Sequence, residues 1–243
     1  MAVLITGASR GIGRSIAYSL APDHDIAVNY RTAEDAAADV VDDIESDGGD
    51  AIAVRADVSN SADVESMVAT VVDEFGELDA VVNNAGIVDP DLATDIDDEQ
   101  WNRVLETNLS GAFYVARAAI PHLEPDGDVV FLSSIGGTGG TVDASYAASK
   151  AGLHGLTRSL AREYGGDGLQ VNAVAPGPVE TGLNDTILEH LEAIEFRGHE
   201  NLDTHLPQYA CKPEDVAHTI RYVLENEYLQ GEILNVNGGM QFR

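Results

Sequence analysis

Short apolar runs alternate along this chain with longer stretches whose apolar residues recur at helical spacing. That alternation leaves few folds open. The short runs cover Ala2–Thr6, Asp25–Asn29, Ala51–Arg55, Ala80–Asn83, Val129–Ser133, Gln170–Val174 and Ile233–Val236. Between two of them, Val64, Met67, Val68, Val71, Val72 and Phe75 fall at i, i+3, i+4, i+7, i+8 and i+11, one face of a helix. Strands alternating with such helices form βαβ units, and these build a parallel sheet. The expected fold class is α/β: a doubly wound, parallel, seven-stranded sheet with helices on both faces. No internal repeat, low-complexity segment or Pro/Gly/Ser-rich linker interrupts the pattern. Residues 1–243 therefore read as one domain.

Charge narrows the function. The chain of 243 residues is 44% hydrophobic, yet 42 Asp and Glu stand against 13 Lys and Arg, a formal net charge of −29. With so much apolar content the acid must coat a folded surface rather than mark disorder. Such a surface repels nucleic acid and anionic membranes, so neither is an expected partner. Self-repulsion destabilises the compact state at low salt, whereas at about 1 M salt the Debye length is about 3 Å and the repulsion is screened. The composition points to a salt-rich, halophilic cytoplasm. Only two of the cations are lysines, Lys150 and Lys212. The lone cysteine, Cys211, permits no internal disulfide, and no apolar run nears the roughly 20 residues of a membrane span. MAVLITGAS runs directly into a strand without a charged leader, so the protein reads as soluble and cytoplasmic. Leu109–Leu123 and Tyr146–Tyr164 are apolar or small on most sides. One face of each can cover the sheet and the other another subunit, as in a symmetric homo-oligomer.

The first strand enters TGASRGIG, residues 6–13, and then a helical stretch. Strand, glycine-rich turn and helix form the phosphate-binding arrangement of dinucleotide folds. Gly7 allows the tight turn, Gly11 lets the backbone approach a pyrophosphate, and Gly13 lets helix and strand pack. The spacing is G-x3-G-x-G. A site for NAD places Asp or Glu at the end of the second strand. Asn29-Tyr30-Arg31 stands there instead. Arg31 with Arg10 can hold a 2′-phosphate, so NADP(H) is the expected cofactor, with NAD(H) possible.

Further motifs follow in order: NNAG at 83–86, Asn108 in LETNLSG, FLSS at 131–134, Tyr146-Ala-Ala-Ser-Lys150, and APGPVET at 175–181. A Tyr-x3-Lys pair alone is most often a solvated helix face. All of these motifs together, in this order, resemble the short-chain dehydrogenase/reductase family over essentially the whole chain. The resemblance implies a Rossmann fold and an NAD(P)-dependent oxidoreductase acting on a carbonyl or secondary alcohol. It implies Asn108, Ser134, Tyr146 and Lys150 as the catalytic set. Tyr146 would pass a proton to the substrate oxygen, Ser134 would hold that oxygen, and Asn108 would anchor a water. Lys150, one turn along the same helix face, would lower the phenol's pKa and bind the nicotinamide ribose. Ser133 would be a strand-end residue. The cofactor contacts implied are Gly7, Ser9, Arg10, Gly11, Ile12, Gly13, Asn29, Tyr30, Arg31, Asp57, Val58, Asn83, Ala85, Gly86, Tyr146, Lys150, Pro176, Gly177, Val179 and Thr181.

Within the family the chain resembles 3-oxoacyl thioester reductases, acting on acyl carrier protein or coenzyme A esters, and a homotetramer or dimer is the expected assembly. A sugar dehydrogenase of the glucose 1-dehydrogenase type, which shares VNYR, is the alternative. A non-catalytic NADP sensor or scaffold is the alternative of another class. The segment at about 182–212 departs from the family's usual pattern before Pro213-Glu214-Asp215 and reads as a substrate lid. His190, His199 and His205 within it match no metal-ligand spacing, so no metal is expected.

Overall fold

A computed structural model describes residues 2–76, 78–141, 143–195 and 205–241. Its strands are β1 (Ala2–Ile5), β2 (Asp25–Tyr30), β3 (Ala51–Arg55), β4 (Leu78–Asn83), β5 (Leu123–Leu132), β6 (Gln170–Pro176) and β7 (Ile233–Val236). They form one seven-stranded sheet in the order β3-β2-β1-β4-β5-β6-β7. Every pairing is parallel. Chain order reverses between β1 and β4, which opens a crevice at the carboxyl ends of the strands there.

Successive side chains on each strand enter opposite cores. Leu4, Val81, Val129 and Phe131 face one cluster, and Val3, Ile5, Val82 and Val130 the other. The first core is closed by α3 (Ser61–Phe75), α5 (Gly111–Ala119) and α7 (Ala144–Tyr164). The second is closed by α1 (Gly11–Leu20), α2 (Glu34–Ser46) and α9 (Pro213–Glu225). Both faces of the sheet are dry, which is why its strands read as continuous apolar runs. The helices α4 (Asp98–Leu105), α6 (Gly136–Gly139) and α8 (Gly182–Ala193) lie between these and around the crevice.

Two boundaries differ from the sequence expectation. The apolar stretch read as one helix over Leu109–Leu123 is three pieces. A π-helical turn, Glu106–Ser110, precedes α5, and a 3-10 turn, Ile120–His122, follows it. Pro121 lacks the N–H that would continue the α-helix. β5 starts earlier than the apolar run suggests, at Leu123, and crosses Pro125, Asp126 and Gly127 before its core-facing residues. A register irregularity between Leu78 and Ala80 accommodates that irregular entry. α5 and α7 leave Phe113, Arg117, Ala148, Ala151 and Gly155 exposed. Arg117 lies over the rings of Phe113 and Tyr114, 5.5 and 5.3 Å from their centroids.

Candidate active site

A cleft of about 1250 Å³ runs along the carboxyl edge of the sheet, from the β1–α1 turn to α8. It exceeds the volume that one drug-sized ligand takes. Gly7 and Gly11 adopt φ of 64° and 56° there, a region that side chains disfavour. α1 begins at Gly11 with no side-chain cap and no acidic residue in its first turn. In so acidic a chain that leaves a helix N-terminus, with its orphan N–H groups and positive dipole end, open to an anion.

The turn is braced from beneath. Asn29 is buried; its Oδ1 accepts from Gly7 N at 3.1 Å, and its Nδ2 donates to Val54 O and Ala56 O at 3.2 and 3.3 Å. Asn29 borders the cleft, yet its amide is engaged by the protein itself. Asn84 Nδ2 donates to Thr6 O and Gly7 O at 2.8 and 3.1 Å, while Thr6 Oγ1 accepts from Asn84 N and Ala85 N. A side chain on Gly13 would press on Asn84 Nδ2 and Gly7 O, both at 2.5 Å.

Here the sequence expectation needs correction. Asn83 does not border the cleft; Asn84 does. Asn83 ends β4 with both side-chain polar atoms buried and without a hydrogen-bond partner. The doublet NNAG hides which asparagine faces the crevice. Only the pleat of β4 separates them.

At the far end of β2, Arg31 reaches Asp57 Oδ2 at 3.6 Å, and Ser59 donates to Asp57 Oδ1 through N and Oγ at 3.0 and 2.7 Å. Burial would raise the Asp57 carboxyl, but the Ser59 hydrogen bonds and the Arg31 guanidinium outweigh it and hold it below the usual range. Ser9, Arg10, Ile12, Tyr30, Val58, Ala85, Gly86, Pro176, Gly177, Val179 and Thr181 border the same cleft.

Ser134, Tyr146 and Lys150 meet at its middle. α7 is set by Asp143, whose Oδ1 accepts from Tyr146 N and Ser145 Oγ at 3.0 and 2.7 Å. An N-cap Asp three residues ahead of the tyrosine is a readable signal, and the sequence reading did not use it. Ser134 Oγ accepts from Gly136 N at 3.0 Å and lies beside the Tyr146 hydroxyl. Lys150 Nζ donates to Leu132 O at 2.8 Å and lies 5.7 Å from the Tyr146 ring centroid.

Burial sets the electrostatics of both groups. Burial pushes Tyr146 up to about 12; the Ser134 hydrogen bond opposes this and nearby Asp143 reinforces it. Burial also pushes the Lys150 ammonium down to about 8. Its head points at Leu132 O rather than at the phenol oxygen, so desolvation dominates both groups.

Asn108 lies behind the cleft, not on it, in the π-helical turn. Its Oδ1 accepts from Ile87 N at 2.8 Å, and its Nδ2 donates to Ile87 O and Ser149 Oγ at 2.9 and 3.1 Å. The side chain ties the loop after β4 to α7. π-turns of this kind recur at functional sites.

The substrate end of the cleft is bordered by Thr141, Leu183, Ile187, Leu188, Leu191 and Met240. Cys211 forms a parallel bridge to Val179. Among the described residues no group of three His, Cys, Asp or Glu is placed to hold a metal, and His199 lies outside them. Among the same residues no helix is long and apolar enough to cross a membrane.

Comparison with known proteins agrees with this geometry. Residues 7–241 match the family described as enoyl-(acyl carrier protein) reductase. The 3-oxoacyl-[acyl-carrier-protein] reductase FabG of Staphylococcus aureus (strain Mu50) is 38% identical over 244 residues, 98% of this chain and 96% of the relative. The FabG of Escherichia coli K12 is 36% identical over 243 residues, with 98% and 96% covered. A short-chain dehydrogenase from Burkholderia cenocepacia J2315, solved in complex with NADP, superposes with a TM-score of 0.89 at 35% identity, covering 98% of this chain and 96% of that one. A dehydrogenase/reductase from Sinorhizobium meliloti 1021 gives a TM-score of 0.90 at 31% identity, covering 99% and 95%. The chain belongs to the short-chain dehydrogenase/reductase family of oxidoreductases.

Proposed function

We propose that the protein is an NADPH-dependent carbonyl reductase whose substrate is a 3-oxoacyl thioester. The observation that carries the reading is the meeting of the Ser134 and Tyr146 hydroxyls beside the Lys150 ammonium, in the cleft that begins at the uncapped end of α1. The residues fit NADP(H). The open N-terminus of α1 suits a pyrophosphate, and Arg10 and Arg31 suit a 2′-phosphate. Asp57 and Val58 would border the adenine. Pro176, Gly177, Val179 and Thr181 would cradle the carboxamide end.

When bound, the nicotinamide supplies the hydride. Ser134 donates to the substrate oxygen, and Tyr146 Oη gives that oxygen its proton as negative charge develops there. Two hydroxyl donors converging on one point suit an oxygen that gains charge, and so favour a ketone over an enoyl double bond. A phenol near 12 remains a competent donor to an alkoxide, whose parent alcohol is far less acidic. Lys150 stabilises the phenolate left behind.

The chain works as one domain in a salt-rich cytoplasm, with the segment at about 182–212 as the lid over the substrate. The exposed face of α5 and α7 serves a homotetramer or dimer. The test is NADPH oxidation in molar KCl with acetoacetyl-CoA, crotonyl-CoA and a sugar lactone in parallel, and NADP⁺ reduction with glucose. Turnover confined to crotonyl-CoA or to the sugar overturns the reading.

A further inference from the structure

Three consecutive residues at the tip of β5 each grip α7. Leu132 O accepts from Lys150 Nζ at 2.8 Å. Ser133 Oγ donates to Lys150 O at 3.1 Å and lies 2.7 Å from His154 Nε2. Ser134 bonds the Tyr146 hydroxyl. The first and third grips hold groups assigned above to the reaction. The middle one reaches back to His154, which does not border the cleft, and it lies between the other two.

Hydrogen accounting orients this middle link. The Ser133 hydroxyl has one hydrogen, and Lys150 O can only accept. With that hydrogen on Lys150 O, His154 must donate through a protonated Nε2. The chain then runs His154 Nε2–H to Ser133 Oγ–H to Lys150 O. The backbone of Ser133 is pinned as well, its N donating to Val174 O at 2.8 Å. Lys150 is thus held at both ends, by its ammonium and by its carbonyl. The following loop lies directly on this point: a side chain on Gly137 would come within 2.6 Å of the Lys150 carbonyl carbon.

We propose that His154 is a positioning residue, which acts through Ser133 to fix the register of α7 on β5 and so the meeting of Ser134, Tyr146 and Lys150. It does not border the cleft. Its glutamine variant places an amide N–H at similar reach; its leucine variant does not.

The inference rests on the reductase reading for its kinetic test, and a spectroscopic test stands apart from activity. In two-bond ¹⁵N–¹H spectra of the full chain in molar KCl, the His154 ring is expected in the Nε2–H tautomer, and in a tautomer mixture in Ser133→Ala. His154→Leu is expected to lower kcat for acetoacetyl-CoA about 5- to 10-fold, the scale of one neutral hydrogen bond. KM for NADPH should stay within about 2-fold, and His154→Gln should restore kcat to within about 2-fold of wild type. Ser133→Ala combined with His154→Leu should be no worse than the poorer single variant, since both cut one link. An Nδ1–H tautomer, unchanged kcat in His154→Leu, additive losses, or a glutamine variant as poor as leucine overturns the proposal. A wild type inert toward every substrate above sinks the reductase reading instead, and the tautomer then decides the link alone.

Discussion

Replacing Asp128 by Asn should make the protein more stable at neutral pH, and the buried Oδ1 has no hydrogen-bond partner to lose. Asp128 opens the core-facing part of β5 and is 6% exposed. Its Oδ1 is buried without a partner. Burial, helped by the neighbouring Asp126 carboxylate, pushes its carboxyl up to about 8. An unfolded Asp ionises near 3.9. Because the folded value is the higher, the native chain holds a proton that the unfolded chain has released, and stability falls as pH rises from about 4 through about 8. At about pH 7 the gap is about three units, or about 4 kcal/mol; above about pH 8 it levels off near 5.5 kcal/mol. Asn keeps the shape and does not titrate. The variant should melt higher by about 8–16 °C near pH 7, with little difference near pH 4. The assay is thermal melting of both chains from about pH 4 to about pH 9 in molar KCl, where surface charge is screened. Parallel curves, or a less stable variant at every pH, would refute the reasoning and show that the carboxylate is ionised and held.

Ser134→Ala should lower kcat by a factor of about 100 or more, as loss of a donor to a developing oxyanion does, while Ser133→Ala should cost about 10-fold or less. The reverse ranking in steady-state assays would exchange the two serines' roles. Burial holds Lys150 near 8, so kcat for reduction should be level below about pH 8 and fall above it as the ammonium is lost. A flat profile to about pH 10 would show that the charge is not needed. Arg31→Ser should raise KM for NADPH by at least about 10-fold and leave KM for NADH nearly unchanged, read from initial rates with both cofactors. The melting temperature should rise steeply from low to molar KCl, given the net charge of −29; equal values in both would remove the case for a salt-requiring protein.

The sheet was legible because its strands are apolar on both sides. β3 and β7 fall where the apolar runs place them. The early start of β5 was not, because Pro125, Asp126 and Gly127 carry loop chemistry and are strand only through their neighbours. Motif spacing located Ser134, Tyr146 and Lys150, since each spacing is set by the geometry of one strand tip and one helix. It could not separate Asn83 from Asn84, which differ by the pleat. Nor could it show that Asn108 sits in a π-turn with its amide engaged by the Ile87 backbone. Nor does spacing reveal how deeply Tyr146 and Lys150 are buried. Spacing fixes which groups are neighbours, whereas burial and the direction of the ammonium decide which influence wins. Asp143 was readable as a cap and was passed over.

The π-helical turn at Glu106–Ser110 has a consequence for how this chain can vary. Helical structure runs without a break from Asp98 to Ala119, but one surplus residue sits inside it. Each residue of an α-helix turns the chain by about 100°, so the two halves are out of phase by about that angle. The first half buries Val104, the turn presents Asn108 toward the loop after β4, and the second half presents Val115 and Ala119 to the sheet core. Deleting any one residue between them would restore an ordinary helix and rotate one half away from its partner. Either the Ile87 loop or the sheet core would lose its contact. Length in this stretch is therefore held more tightly than residue identity, and tolerance to substitution there says nothing about tolerance to deletion.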